Sequence, residues 1–388
     1  MKRSDILKIE YFRDQFRAWR LSGSFELSKG KYWSWTMFKC ILVYLLTPMI
    51  LGAMFRSDKP LENNYNFIVS LTLLSNLLKF PIYVTQLPKL VEIQKLISQL
   101  DARVSGKDQE LRHGKISKHM QRMSKLFLII YVIIFINAAV PFVFEKERNL
   151  PVPMWFPLDW KNSSLAYMGA LHFQEISMFF QILHTYAADS FSPLALILVS
   201  EQCQLLILRI SQIGYGSRTL KENEQDLVEC IRDQNTLYRL LELLRTMISY
   251  PLMVQFSTVG VSIAANLFGL IYYVETTSNR VYYFCYLLGL TMQIYPSCYY
   301  GSTLENSFAE LHYAVFCSNW VGQSATYRGH MLIMEERTKR QQRLLAGKLV
   351  PIHLRTFVAC LQGAFSFFTL MVNRSDPNRE HLKLRQLK

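Results

Sequence analysis

The sequence predicts an all-α membrane protein with seven transmembrane helices, its N-terminus cytoplasmic and its C-terminus extracellular, and cytoplasmic helical extensions of helices 4–7. Three observations carry this. Hydrophobic residues make up 51% of the 388-residue chain and gather into continuous blocks; about 20 apolar residues let an α-helix cross roughly 30 Å of hydrocarbon. Lys and Arg concentrate in alternate hydrophilic segments. Between the blocks on the basic side, apolar residues keep a helical period.

The spans read as 36–55, 67–87, 126–144, 173–200, 251–274, 281–300 and 350–372. Backbone groups inside a bilayer need internal partners, and the blocks are continuous rather than alternating, so helices are expected and a β-barrel is not. The division is a cytoplasmic segment 1–35; spans one to four over 36–200, with an outer loop at 145–175; a cytoplasmic helical anchor segment 201–250; spans five and six over 251–300; a second anchor segment 301–349; a last helix 350–372; and an extracellular tail 373–388. In 201–250, Leu205 and Leu208, then Leu237, Leu240, Leu241, Leu244 and Ile248, mark amphipathic helix rather than linker. A fourth helix from Phe173 to Ile210 would be roughly 57 Å long, almost twice the hydrocarbon core. Gly214-Tyr215-Gly216-Ser217 would end it.

Sidedness follows from charge. Segments 1–35, 88–125, 201–250 and 301–349 hold 29 of the 43 Lys and Arg residues; the opposite segments hold 11. The basic side is expected to be cytoplasmic, which is the reverse of a G-protein-coupled receptor. The start of the chain is charged and lacks the apolar region of a secretory signal. Two glycosylation sequons, at Asn162 and Asn373, fall on the predicted outer side, and Asn162 is the expected site. None of the seven cysteines lies in a predicted outer loop, so no outer-loop disulfide is expected. The net charge of +14 is spread over alternate loops rather than one patch, which argues against nucleic acid. No P-loop, nucleophile elbow, HExxH or paired CxxC occurs; no catalytic residue, metal or cofactor is expected.

Ionisable residues inside spans are costly and therefore informative. Lys79 in span two and Asp189 in span four are expected to form a structural ion pair. His184, one turn before Asp189, is expected to pack or hydrogen-bond. Lys39 is expected to snorkel to the surface.

The outer halves of spans two, three, four and six carry apolar or aromatic residues at helical spacing. They are Leu71, Leu74 and Ser75; Ile136, Ala139 and Val143; Met178 and Ile182; Tyr283 and Tyr286. An apolar pocket with a few hydroxyls suits a small volatile or lipophilic ligand. The same spacing also serves ordinary helix packing. In span seven, Gly363, Ser366 or Phe367, Leu370 and Arg374 share a face. Repeated in several subunits, that face would line a narrow pore with an apolar constriction.

The C-terminal third adds a resemblance. Trp320, the run 331–343, Ala346-Gly347-Lys348 and the ending Phe365-Ser366-Phe367-Phe368-Thr369-Leu370 resemble the insect odorant receptor family. So do the loop Pro153-Met154-Trp155-Phe156-Pro157-Leu158-Asp159, the length and the inverted layout. The resemblance implies a ligand-gated, non-selective cation channel built as a tetramer, in which a divergent tuning subunit binds odorant and assembles with a shared co-receptor. It implies a plasma-membrane location, in the dendrites of olfactory sensory neurons. It places seventh helices at the pore, with Leu370 at the gate, and an odorant pocket among helices two, three, four and six. Only about 50 residues separate spans four and five, where the co-receptor has a long insertion, so this chain resembles a tuning subunit. A gustatory-type channel of the same superfamily, a G-protein-coupled receptor and a transporter remain alternatives.

Overall fold

The computed structural model describes residues 11–22, 33–54, 58–86, 89–139, 150–157, 159–339 and 342–375. They form ten α-helices and one small hairpin. The helices are α1 (Arg13–Leu21), α2 (Trp33–Met54), α3 (Pro60–Gln86), α4 (Lys89–Asp101), α5 (Lys107–Ala139), α6 (Ser164–Ser211), α7 (Leu220–Tyr272), α8 (Thr277–Ala314), α9 (Ala325–Thr338) and α10 (Leu354–Ser375). Strands β1 (Leu345–Ala346) and β2 (Val350–Pro351) pair antiparallel. The seven predicted spans fall in α2, α3, α5, α6, α7, α8 and α10.

Among the described residues, five helices are long and apolar enough to cross a membrane: α3, α5, α6, α7 and α10. A shorter apolar stretch, Tyr44–Met54, lies in α2. The sixth span, in α8, carries six tyrosines between 282 and 300, whose polar hydroxyls lower its hydropathy.

Local sequence explains the helix ends. The Ser163 hydroxyl caps α6 by accepting from the Ala166 amide. Thr219 and Glu222 form a reciprocal capping box at the start of α7. Gly214, at φ +85°, lies just beyond α6, in a conformation that disfavours side chains. At 48 and 53 residues, α6 and α7 run about 70–80 Å, far longer than a bilayer core. Pro251 lies inside α7, which passes through it as one helix.

Helix α6 is the axis of the fold. Every residue from 184 to 200 is buried, with α1, α2, α3, α5, α7 and α8 packed around it. By contrast, only 6% of the apolar stretch of α10 is buried. That helix packs on α7 and α8 through Phe357, Cys360, Ala364 and Phe368. The hairpin docks where α10 begins. The Gly347 amide donates to the Ser249 carbonyl at 2.9 Å, the Ser249 hydroxyl to the Leu345 carbonyl at 2.7 Å, and the Leu354 amide to the Ser302 hydroxyl at 2.9 Å.

Several boundaries differ from expectation. The last helix begins at Leu354 rather than 350, because Val350 and Pro351 pair with β1. The third span is the second half of a 33-residue helix that starts at Lys107. Residues 11–22 are no mere charged leader: Phe12, Phe16 and Trp19 are buried. Rings of Phe12 and Trp19 meet Phe191 at 5.0 and 5.5 Å. In α4, Leu90, Ile93, Ile97 and Leu100 form one buried stripe. Val143, the ends of spans one and three at 55 and 140–144, and the tail beyond 375 lie outside the described residues, as do the side chains of Lys39, Cys40 and Ala139.

At the hairpin end, charge joins the helices. Arg103 reaches Glu229 at 2.6 Å and Asp233 at 3.3 Å, while Arg209 also pairs with Asp233. Burial pushes the Cys230 thiol up to about 12, so it stays protonated at neutral pH.

Candidate ligand-binding site

At the opposite end, a cavity of about 100 Å³ lies between α2, α3, α5, α6 and α8. Its wall is mainly apolar: Leu46 and Ile50 from α2, Val69 and Leu73 from α3, Ile134 and Ala138 from α5, Met178 and Ile182 from α6, and Leu290 from α8. Tyr65, Tyr282 and Tyr286 form an aromatic side; the 65–282 and 282–286 ring centroids lie 5.1 and 5.8 Å apart. The Thr72 and Tyr286 hydroxyls share a hydrogen bond of 2.6 Å.

The loop before α6 closes one end. Fully buried Gln174 clamps it by donating from Nε2 to the Val152 carbonyl at 2.7 Å and accepting from the Val152 amide at 3.1 Å. The Trp155 amide donates to the Met49 carbonyl at 3.0 Å, tying the loop to α2. Val152 thereby becomes part of the cavity wall.

The deep end is polar. Lys79 Nζ donates to Asp189 Oδ1 at 2.7 Å, and both side chains are essentially inaccessible. The hydroxyl of Tyr131 donates to Asp189 Oδ2 at 2.5 Å. Lys79 also approaches Gln255 Oε1 at 3.5 Å, and Gln255 Nε2 donates to the Gln293 carbonyl at 2.6 Å. This one network joins α3, α5, α6, α7 and α8. Tyr131 and Gln293 also line the cavity. A buried charge is tolerable only when it is paired and hydrogen-bonded, and here both charges meet that condition.

Sequence spacing located part of this wall. Met178, Ile182 and Tyr286 line the cavity. Among the described side chains, the other predicted positions, Leu71, Leu74, Ser75, Ile136 and Tyr283, do not. Leu71 is half-buried elsewhere on α3, while Leu74 and Ile136 are exposed. Ser75 is buried one turn from Lys79. Tyr283 turns to α3, where its hydroxyl donates to Asn64 Oδ1 at 3.1 Å. On α3 and α5 the lining register is displaced, to Tyr65, Val69, Thr72, Leu73 and Asn76 and to Tyr131, Ile134 and Ala138. The α2 and loop contributions were missed. The ion pair predicted between Lys79 and Asp189 is present. The ring of His184 lies 5.4 Å from Phe80.

On α10, Gly363, Ser366, Phe367, Leu370 and Arg374 are all exposed and lie apart from the packed face. A Cβ at Gly363 would meet nothing within 4 Å. Asn162 is exposed in the loop, its Nδ2 donating to Asp159 Oδ2 at 2.7 Å.

Residues 59–365 match the family model described as 7tm Odorant receptor. The chain is 64% identical over 374 residues to Odorant receptor 23a of Drosophila melanogaster, covering 96% of this chain and 99% of that one. It is 29% identical to Odorant receptor 59a of the same species, over 94% and 97% of the two chains. In three dimensions it resembles the insect olfactory receptor OR5 from Machilis hrabei in complex with eugenol. The TM-score is 0.81 at 14% identity, over 94% of this chain and 97% of that one. The likeness to OR5 without eugenol has a TM-score of 0.78 over 92% and 96%.

Proposed function

The chain belongs to the 7tm odorant receptor family, a multi-pass membrane receptor, and on that premise we propose that it is the odorant-binding tuning subunit of a ligand-gated, non-selective cation channel. It assembles with a shared co-receptor as a hetero-oligomer, a tetramer, in the plasma membrane of olfactory sensory neuron dendrites. Its N-terminus and the hairpin end are cytoplasmic; the loop carrying Asn162 is outside and glycosylated. The observation that carries this reading is the mainly apolar cavity resting on a five-helix polar network. OR5 was solved with eugenol, and a comparably small, mainly apolar molecule suits the cavity here.

A ligand opens the channel only if it binds the open state better than the closed one, and a tenfold preference shifts the balance by about 1.4 kcal/mol. The route available is short. The cavity floor includes Gln293 on α8 and, through Lys79, reaches Gln255 on α7. These two helices are the ones on which α10 packs. A small change in floor geometry therefore bears on the seating of α10.

The exposed residues of α10 supply the pore in this account, with Leu370 at the apolar gate and Gly363 allowing close approach of a neighbouring helix. Four copies of Arg374 around one axis would repel cations, which favours an assembly containing few copies of this chain.

Co-expression with the co-receptor in oocytes, screened with a volatile panel, tests the proposal. An odorant-evoked cation current that needs both chains is expected. A response that persists without the co-receptor and requires a G protein, or an N-terminus labelled on intact cells, would overturn it.

A further inference from the structure

We propose that the ligand preferred by this cavity is a small apolar molecule that carries a hydroxyl, recognised by the amide oxygens of Asn76 and Gln181. The proposal rests on the cavity being the ligand site and adds the chemical class of that ligand.

Both side chains line the cavity and are more than nine-tenths buried, at 3% and 6% exposure. Neither Asn76 Oδ1 nor Gln181 Oε1 has a hydrogen-bond partner. The orientation of Asn76 is dictated by its neighbour. Thr185 has one hydroxyl proton, which it donates to the Gln181 carbonyl at 2.8 Å. Its oxygen can then only accept, so the group facing it at 2.6 Å must be the Asn76 Nδ2. Asn76 Oδ1 is thereby left as an acceptor with no donor.

Thr72 and Tyr286 bond each other, and Tyr131 donates to Asp189. The unmet capacity is thus two acceptors on adjoining helices. A buried acceptor without a donor is costly, and a site built around such a group discriminates strongly against ligands that cannot satisfy it. An ether, ester or ketone offers only another acceptor. A hydroxyl offers the missing proton, and the apolar wall receives the hydrocarbon part.

Ordered water is the competing donor. A second void touches Asn76 and Gln181, beside Tyr44, Thr47 and His184, but at about 10 Å³ it is at the lower limit for a single water molecule.

Matched probes decide the matter: hexan-1-ol against its isomer 1-methoxypentane, and 2-methylphenol against its isomer methoxybenzene, with heptane and toluene as hydrocarbon controls. Each is applied to the receptor with its co-receptor in oocytes, and to purified full-length receptor in detergent by thermal shift. The hydroxyl isomers should act at concentrations lower by about tenfold or more. Asn76→Leu and Gln181→Met should each reduce that ratio, and together bring it near one while the ethers still bind. Equal potency of ether and alcohol on the native receptor would overturn the inference and leave the cavity as a ligand site. A preference that survives both substitutions would overturn it too, assigning the acceptors to water. If no probe binds the native receptor, the cavity reading fails and this inference fails with it.

Discussion

Replacing Asp189 by Asn would leave the Lys79 ammonium buried beside a neutral amide. Lys79 Nζ lies 2.7 Å from Asp189 Oδ1, with side-chain exposures of 2% and 0%, so water cannot take over the lost interaction. Breaking a buried pair in this way costs about 3–5 kcal/mol. The Tyr131 hydroxyl, which donates to the same carboxylate, would weaken as well. Replacing both charges, as Lys79→Met with Asp189→Leu, removes the stranded ion and should restore most of the stability, since apolar replacement of a whole pair is often neutral or better. The assay is apparent melting of the detergent-solubilised receptor, read by fluorescence-detected gel filtration. At roughly 1–2 °C per kcal/mol for a chain this large, each single variant should melt about 3–10 °C lower. The double variant should recover much of that loss yet show altered gating, because Gln255 and Gln293 lose their link to α3 and α6. Single variants as stable as the native receptor, or a double variant whose loss is the sum of the two, would refute the reasoning.

The loop clamp makes a separate prediction. Gln174→Leu leaves the Val152 amide and carbonyl without their partners, so it should cost about 1–3 kcal/mol and raise the odorant concentration needed for half-maximal current. Melting and dose–response curves on the same variant check both parts. Thiol labelling tests the hairpin end: exposed Cys317 should react with a maleimide in detergent at pH 8, while Cys230 should not. Burial holds the Cys230 thiol near 12, well above that pH, and also blocks access. On intact cells a membrane-impermeant maleimide should miss Cys317 and reach it after permeabilisation; labelling before permeabilisation would reverse the proposed orientation.

Much of the helical layout was legible because apolar blocks of bilayer length have few other uses. The continuation of α6 beyond those blocks was visible in Leu205 and Leu208, and that of α7 in the leucine stripe from Leu237 to Ile248. Lys79 and Asp189 stood out because charge inside a span demands a partner. What the sequence hid was which buried face meets a neighbour and which meets a void. Tyr283 and Tyr286 share a stripe on α8, yet one turns to Asn64 and the other to the cavity. Helix α3 faces α2, α7 and the cavity at once, so its apolar periodicity is nearly uniform around the helix and gives no register. Helix α1 was missed because four charged residues surround its buried Phe16 and Trp19. The two-residue strands at 345–351 have no period to detect; their turn rests on the positive φ of Gly347 and Lys348.

The central claim is that odorant occupies the cavity among α2, α3, α5, α6 and α8. Ile182→Trp tests it most directly, because Ile182 faces the cavity from α6 and an indole there would take up the space a ligand needs. The measurement is the odorant dose–response of this variant with the co-receptor, normalised to surface expression. The account predicts native surface levels with the response lost or shifted by about tenfold or more, equivalent to about 1.4 kcal/mol or more. An unchanged dose–response at unchanged surface expression would place the ligand elsewhere.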